Sequence, residues 1–299
     1  REAPETFSSD EGWGCAVRSM QMLLAQCLVS LHLGRDWRFD PGVDLAEGCA
    51  YRQIADLFLD TPAALLSIQR FVAKGAQLLG KRPPDWYGPV SSASVAAALM
   101  ERPAARTLED ADNSEDCGAS FWGSRALEAC PSQRALHGVR CLCSTDGDIR
   151  ADEVFEELRV APRGLILLVG RRLGLHSPDP EHVEGIRRAF ASVPQFQGFV
   201  GGTSTSAHYV VGTHGDDLLC LDPHLTQEAL RVSEDVVAGD SGMHAEGIML
   251  IREADLCATT CLGFALKSEA DFRSLLGSSG GGVGGAPLSS LVEIRAPAS

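Results

Sequence analysis

The stretch from residue 164 to 251 constrains the fold most. It carries five short apolar runs: GLILLVG (164–170), FQGFVGG (196–202), AHYVVG (207–212), DLLCLD (217–222) and EGIMLI (246–251). Most are bounded by Gly, Pro or Asp, and runs of that length between turn residues read as strands. Helical patterns near 152–159 and 181–191 accompany the first of them. The half before them has a different period. Residues 16–31 set Val17, Met20, Leu23, Leu24, Cys27, Leu28 and Leu31 at helical spacing. Residues 51–59 and 63–79 predict two more helices, the second with Leu65, Ile68, Phe71, Val72 and Leu79 on one stripe. Ser91 or Ser92 is placed to cap an Ala-rich helix ending near Pro103. A helical half followed by a strand half predicts an α+β fold, with helices packed on a mainly antiparallel sheet.

Length and composition bound the rest. The chain has 299 residues, 44% hydrophobic and 22% charged, enough for one large domain or two small ones. We expect one domain over 1–276, with a surface insertion at about 102–137, where no clean period appears. A flexible Gly/Ser-rich segment is expected over 277–299. The chain opens on Arg1 rather than Met, which reads as a fragment edge or a processed end. A net charge of −14 repels phosphate backbones and anionic lipid, so nucleic acid and membrane surfaces are poor partners. Ten cysteines are scattered through apolar and helical stretches without a dense framework, as expected of reduced thiols in a cytoplasmic protein. Cys141-x-Cys143 and Cys257-x3-Cys261 do not match a zinc pattern, so neither metal nor cofactor is expected. No signal peptide or transmembrane run is visible.

The chemistry-bearing stretch is EGWGCAVRSMQ (11–21). It puts Cys15 at the mouth of the first helix, where unpaired N–H groups and the helix dipole stabilise a thiolate. Gly12 and Gly14 leave room for a substrate backbone, and Trp13 could wall a groove. A buried small cysteine at a tight turn is the plainer reading of this stretch alone. A nucleophilic thiol also needs a base, and the base an orienter. SAHYVVG offers His208 at the start of a strand; LDPHLTQ offers Asp222 and His224 around Pro223. Residues i and i+2 of extended backbone share a face, so Asp222 and His224 form a preset carboxylate–imidazole unit. The two strands are expected to form a hairpin that clusters these groups. Spacing alone leaves His208 and His224 both open as the base.

Five blocks in register, SSDEGWGCAVRSMQMLLAQCLVSLHLGRDWRF, DWYGP, RRLGL, GGTSTSAHYVVG and LCLDPHLTQ, with GFALKSEADF (263–272) later, resemble the autophagins. These are the cysteine peptidases that process the ubiquitin-like autophagy modifier. The resemblance spans nearly the whole chain and is weakest from about 102 to 164. It implies a papain-like fold with Cys15 as nucleophile, His224 as general base and then acid, and Asp222 as its orienter. It implies cleavage after the modifier's C-terminal glycine, and release of the modifier from phosphatidylethanolamine on membranes. Trp86 and the loop 201–206 would cover the cleft, so that only a glycine tail passes. Ser204 stands where the family often has proline, which predicts a looser loop. Trp86, Trp13, Ser204 and His208 are the expected substrate-binding residues, with plain core packing as the other reading of Trp86. The family carries an upstream tyrosine that donates to the oxyanion, and residues 1–14 contain none. Losing such a donor costs about a hundred- to a thousandfold in rate.

Three alternatives stand beside this reading. One is a catalytically impaired relative that binds the modifier. Another is a papain-like peptidase for a different ubiquitin-like protein. The third is a metal site built from His208, His214 and His224, for which no ligand spacing speaks. DFRSL (271–275) has the look of a modifier-binding motif, but an ordinary amphipathic helix turn accounts for it better.

Overall fold

In the computed structural model, residues 8–101, 135–237, 247–279 and 288–295 are described. The helices are α1 (Cys15–His32), α2 (Pro41–Asp44), α3 (Ala50–Ala55), α4 (Ile68–Leu79), α5 (Pro89–Met100), α6 (Ala151–Val160), α7 (Pro180–Ser192), α8 (Ser233–Val237) and α9 (Glu269–Ser279). The strands are β1 (Val139–Ser144), β2 (Asp148–Arg150), β3 (Gly164–Arg172), β4 (Phe196–Gly202), β5 (Ala207–His214), β6 (Asp217–Leu221), β7 (Met249–Arg252), β8 (Thr259–Leu266) and β9 (Glu293–Arg295).

Strand β3 shows why its sequence is apolar without a break. Ile166 and Leu168 face one hydrophobic cluster, while Leu165, Leu167 and Val169 face another. A strand covered on both faces loses the polar alternation of a half-exposed one. The first cluster is built on α1 and includes α5 and part of α3 and α4. The second is built on α6, α7 and α9. Helices therefore cover both faces of a seven-stranded sheet of order β1-β3-β8-β4-β5-β6-β7. Only β1 and β3 pair parallel within it; the other pairs are antiparallel, as the α+β expectation required. A two-stranded parallel sheet joins β2 to β9.

Helix α1 lies across β4, β5 and β8. Its close approach depends on Gly263 of β8, where an added Cβ would meet Leu23 Cδ1 at 2.6 Å. The apolar stripe read from the sequence is the buried face: Val17, Met20, Leu23, Leu24, Cys27 and Leu28 are fully enclosed. The helix expected from 63 starts later, at Ile68, because the Ser67 side chain accepts from Arg70 N (3.2 Å) and caps it there. The Ala-rich helix starts at Pro89 in the first-turn position behind Gly88, and Ser92 is buried rather than capping.

The expected insertion falls on residues outside the described ones as far as 134; Ala135 and Leu136 are already buried. Part of the 277–299 stretch departs from the flexible expectation. Leu288, Leu291 and Val292 enter the second cluster, and β9 pairs β2, because their apolar side chains complete the α6–α7 side of the core. Phe272 and Leu275 of α9 are also enclosed there, which accounts for DFRSL as a packed helix turn. Among the described residues, no helix is long and apolar enough to cross a membrane.

Candidate active site

Cys15 is the first residue of α1, and its N-cap is Gly14. The turn before it is held tightly. Asp10 O accepts from the amides of Trp13 (3.3 Å) and Gly14 (2.8 Å). The Asp10 carboxylate accepts from Arg18 Nε at 2.7 Å, and Arg18 Nη1 and Nη2 reach Asp60 at 2.7 and 3.2 Å. Burial opposes the Arg18 charge, but the hydrogen bonds and charges of Asp60 and Asp10 outweigh it and raise its pKa above the ordinary value. One side chain, three residues beyond the thiol, thus ties the loop, the helix and the 60s turn together. Gly14 fits because the approach is close: a Cβ there would meet Asp10 Cβ at 2.6 Å. Gly12 serves the same turn differently, with φ at +82°.

The Cys15 sulfur is covered from one side by Trp86, whose Nε1 donates to Sγ at 3.4 Å. Trp86 is 43% exposed, so core packing does not describe it. Lys81 Nζ donates to Trp86 O at 2.8 Å, and buried Tyr87 anchors the same loop. Trp13, expected to wall the groove, is instead buried in the first cluster and offers a substrate little surface.

The imidazoles come from the β5–β6 hairpin, as the sequence suggested. His224 Nδ1 lies 2.6 Å from Asp222 Oδ1, and His224 N donates to the same oxygen at 3.0 Å. A carboxylate at Nδ1 fixes the N–H there and leaves Nε2 free to take a proton. Burial opposes ionisation of Asp222, but the two hydrogen bonds from His224 and the charges of His224 and His208 outweigh it. Its carboxyl is held below the ordinary range. His208 is 4% exposed but still lines the open groove beside Asp222 and His224, and its Nε2 sits 3.6 Å from Asp222 Oδ1.

An open groove of ≈ 490 Å³ runs past His224, with Asp222, Thr203, Ser206, Met249 and Leu250 among its lining. The loop 203–206 closes on itself, with Thr203 N donating to Ser206 O at 2.9 Å and the two hydroxyls 2.8 Å apart. Those bonds tie the loop without proline at 204, and Ser204 stays exposed at its tip. Cys15 Sγ makes no hydrogen bond to His224 among the described residues, and its bond to Trp86 takes that place.

Five of the other described thiols are poor competitors. All eight cysteines among the described residues are free. Burial pushes Cys27, Cys141 and Cys261 up, Cys143 to about 11 and Cys220 to about 12, so these stay protonated. His208, Asp222 and His224 each bring one ligand atom within 4.8 Å of the others, close enough to share a divalent ion; His214 is not in that group. Sequence reasoning missed the Arg18 clamp. The available signal was a lone guanidinium at position 18, the one Lys, Arg, Asp or Glu on α1.

Residues 2–278 match the family model for the peptidase C54 catalytic domain. The chain belongs to the peptidase C54 family. It is similar to the probable cysteine protease atg4 of Aspergillus oryzae, 33% identical over 293 residues, covering 94% of this chain and 62% of that protein. The probable cysteine protease ATG4 of Pichia angusta is 32% identical over 231 residues, 77% of this chain and 39% of that protein. The cysteine protease ATG4A of Bos taurus is 31% identical over 283 residues, 89% and 66% respectively. The chain spans between 39% and 66% of the length of these three relatives. Family membership gives the C54 fold, and the sheet and helices described above are how this chain builds it.

Proposed function

We propose that this chain is a thiol-dependent peptidase of autophagy, cutting after the C-terminal glycine of a ubiquitin-like autophagy modifier. The same chemistry releases that modifier from phosphatidylethanolamine, since both bonds are amides of one glycine carbonyl. Cys15 is the nucleophile, His224 the base and then the acid, and Asp222 the orienter. The observation that carries the reading is a thiol at a helix mouth under a half-exposed indole, with an imidazole–carboxylate pair at 2.6 Å on the neighbouring hairpin.

His224 Nε2 takes the Cys15 proton, and the thiolate adds to the glycine carbonyl carbon. N–H groups of the first turn of α1 face the developing oxyanion, as helix N-termini do. Collapse of the tetrahedral adduct breaks the C–N bond, and His224 returns its proton to the leaving amine. Water, deprotonated by His224, then hydrolyses the thioester and frees Cys15. Asp222 keeps His224 in the needed tautomer throughout.

Trp86 and the 203–206 turn act as the gate. Trp86 now holds the thiol that His224 must reach, so the substrate tail has to displace it. Glycine alone has no side chain to collide with the indole and the turn, which selects the tail. Apo hydrogen bonds of catalytic pairs tighten on substrate binding. We assign the peptidase domain to 1–276. The free thiols fit a cytoplasmic protein. The test is cleavage of a modifier precursor carrying a C-terminal tag, by this chain and by Cys15→Ser. Cutting after glycine by the parent alone supports the reading. Binding without cutting assigns an impaired relative, and cutting of an unrelated ubiquitin-like precursor with equal efficiency reassigns the substrate.

A further inference from the structure

The β5–β6 pairing places a second imidazole on the carboxylate. Tyr209 pairs Leu221, so the register continued by one residue sets His208 opposite Asp222. The side chains meet there, with His208 Nε2 at 3.6 Å from Oδ1. The His208 ring also lies against His224, centroids 5.0 Å apart and planes at 55°. Asp222 Oδ1 is therefore approached by His224 on one side and by His208 on the other.

We propose that His208 is a positioning residue: its Nε2–H faces Asp222 and holds the carboxylate toward His224. This rests on the triad reading above.

The tautomer follows from burial. His208 Nδ1 is enclosed and has no hydrogen-bond partner among the described residues. A proton there would be a buried unpaired donor, with the Nε2 lone pair turned on the carboxylate. A proton on Nε2 instead meets the carboxylate and leaves only an unpaired acceptor. A doubly protonated ring would add a buried charge. Desolvation and the charge of His224 disfavour that form, against the pull of Asp222, and lower the His208 pKa below the ordinary histidine value. Those two residues are the ionisable groups facing it; its partner across on β4 is Gly201. The geometry also explains the need. Asp222 sits past the end of β6, half-exposed on the groove, with only its own turn to restrain it. At 3.6 Å the contact is just beyond a hydrogen bond and acts as a charge–dipole contact with the carboxylate.

The test compares His208→Phe, His208→Ala and His208→Gln, all in chelator so that no divalent ion occupies the three donors. Phe keeps the ring volume without the donor, and Gln restores a donor near Nε2. Folding is checked by thermal melting. Two readouts are taken: kcat and KM for precursor cleavage, and the pH profile of Cys15 alkylation by iodoacetamide, resolved by peptide mass spectrometry. Loss of this donor facing the carboxylate predicts kcat lower by roughly three- to tenfold in Phe and Ala, with KM little changed. A less well held carboxylate supports the imidazolium less, so the acid limb of alkylation moves to higher pH. Gln should recover much of both. A Phe variant with wild-type kcat and alkylation profile, or a Gln variant no better than Ala, overturns the proposal. His224→Ala separates the two levels: if it leaves Cys15 alkylation unchanged, the triad reading fails, whatever His208 does.

Discussion

Replacing Gly14 by alanine should damage the site without touching any reacting atom. The new Cβ would sit 2.6 Å from Asp10 Cβ and 2.8 Å from Asp10 Oδ2. Carbon atoms in contact need about 3.5–4.0 Å, so one side must retreat by about an ångström. The neighbour is not a flexible tip. Asp10 is fixed through its carbonyl to the Trp13 and Gly14 amides and through its carboxylate to Arg18. Overpacking of this kind costs about 1–3 kcal/mol. In a chain of this size that lowers Tm by about 2–10 °C. The displaced turn carries Cys15, and a misplacement near 1 Å costs about a hundredfold in rate. The assay is a thermal melt with precursor cleavage, beside the double variant Asp10→Gly/Gly14→Ala. Asp10→Gly removes the colliding Cβ, so the double variant should lose less than the sum of the singles. A Gly14→Ala protein with wild-type Tm and rate would refute the claim that close approach of Asp10 sets the thiol.

Further expectations follow from the same contacts. Asp222→Asn should lower kcat by on the order of 10²–10⁴-fold with KM little changed, because an amide permits the wrong His224 tautomer; equal kcat would remove Asp222 from the mechanism. Trp86→Ala uncovers Cys15 Sγ, so alkylation should speed up several-fold while discrimination against precursors with alanine in place of the tail glycine weakens; unchanged selectivity would argue against the indole as gate. His208 and His32 both have pKa values below the ordinary histidine value, chiefly by desolvation. Below pH about 6.5 the unfolded chain binds protons there that the folded one does not. Stability should therefore fall as pH drops through that range, and His208→Phe should flatten the slope in urea melts.

The sequence revealed the order of elements better than their edges. Apolar spacing along α1 translated directly into its buried face, and four of the five strand runs begin within one residue of β3, β4, β5 and β6. The central strand β8 escaped notice: TTCLGFAL opens without turn residues and carries Gly263 in its interior, which weakens a strand pattern. The reason for that glycine is Leu23 of a helix more than two hundred residues earlier, which no local pattern encodes. The helix mouth at Cys15 and the closeness of Asp222 to His224 were legible because both are local. The strand geometry expected for that pair is not what joins them: β6 ends at Leu221, and a turn with His224 N on Asp222 Oδ1 brings the two side chains together. The pairing of His208 with Asp222 was not legible. Counting back from His214 opposite Asp217 sets Tyr209, not His208, across from Asp222; a bulge between Val210 and Gly212 moves the register by one. The burial of Trp13 and of most of His208 was not legible either, and the Arg18 clamp joins residues 10, 18 and 60, which meet only after folding.

The most direct measurement is covalent capture. The autophagy modifier ending in its C-terminal glycine, with that carboxyl converted to a thiol-reactive vinyl electrophile, is incubated with the chain and the adduct mapped by peptide mass spectrometry. The account predicts a single thioether on Cys15, absent in Cys15→Ser and slowed in His224→Ala. No adduct, or an adduct spread to other thiols such as the partly exposed Cys49 and Cys257, would contradict it.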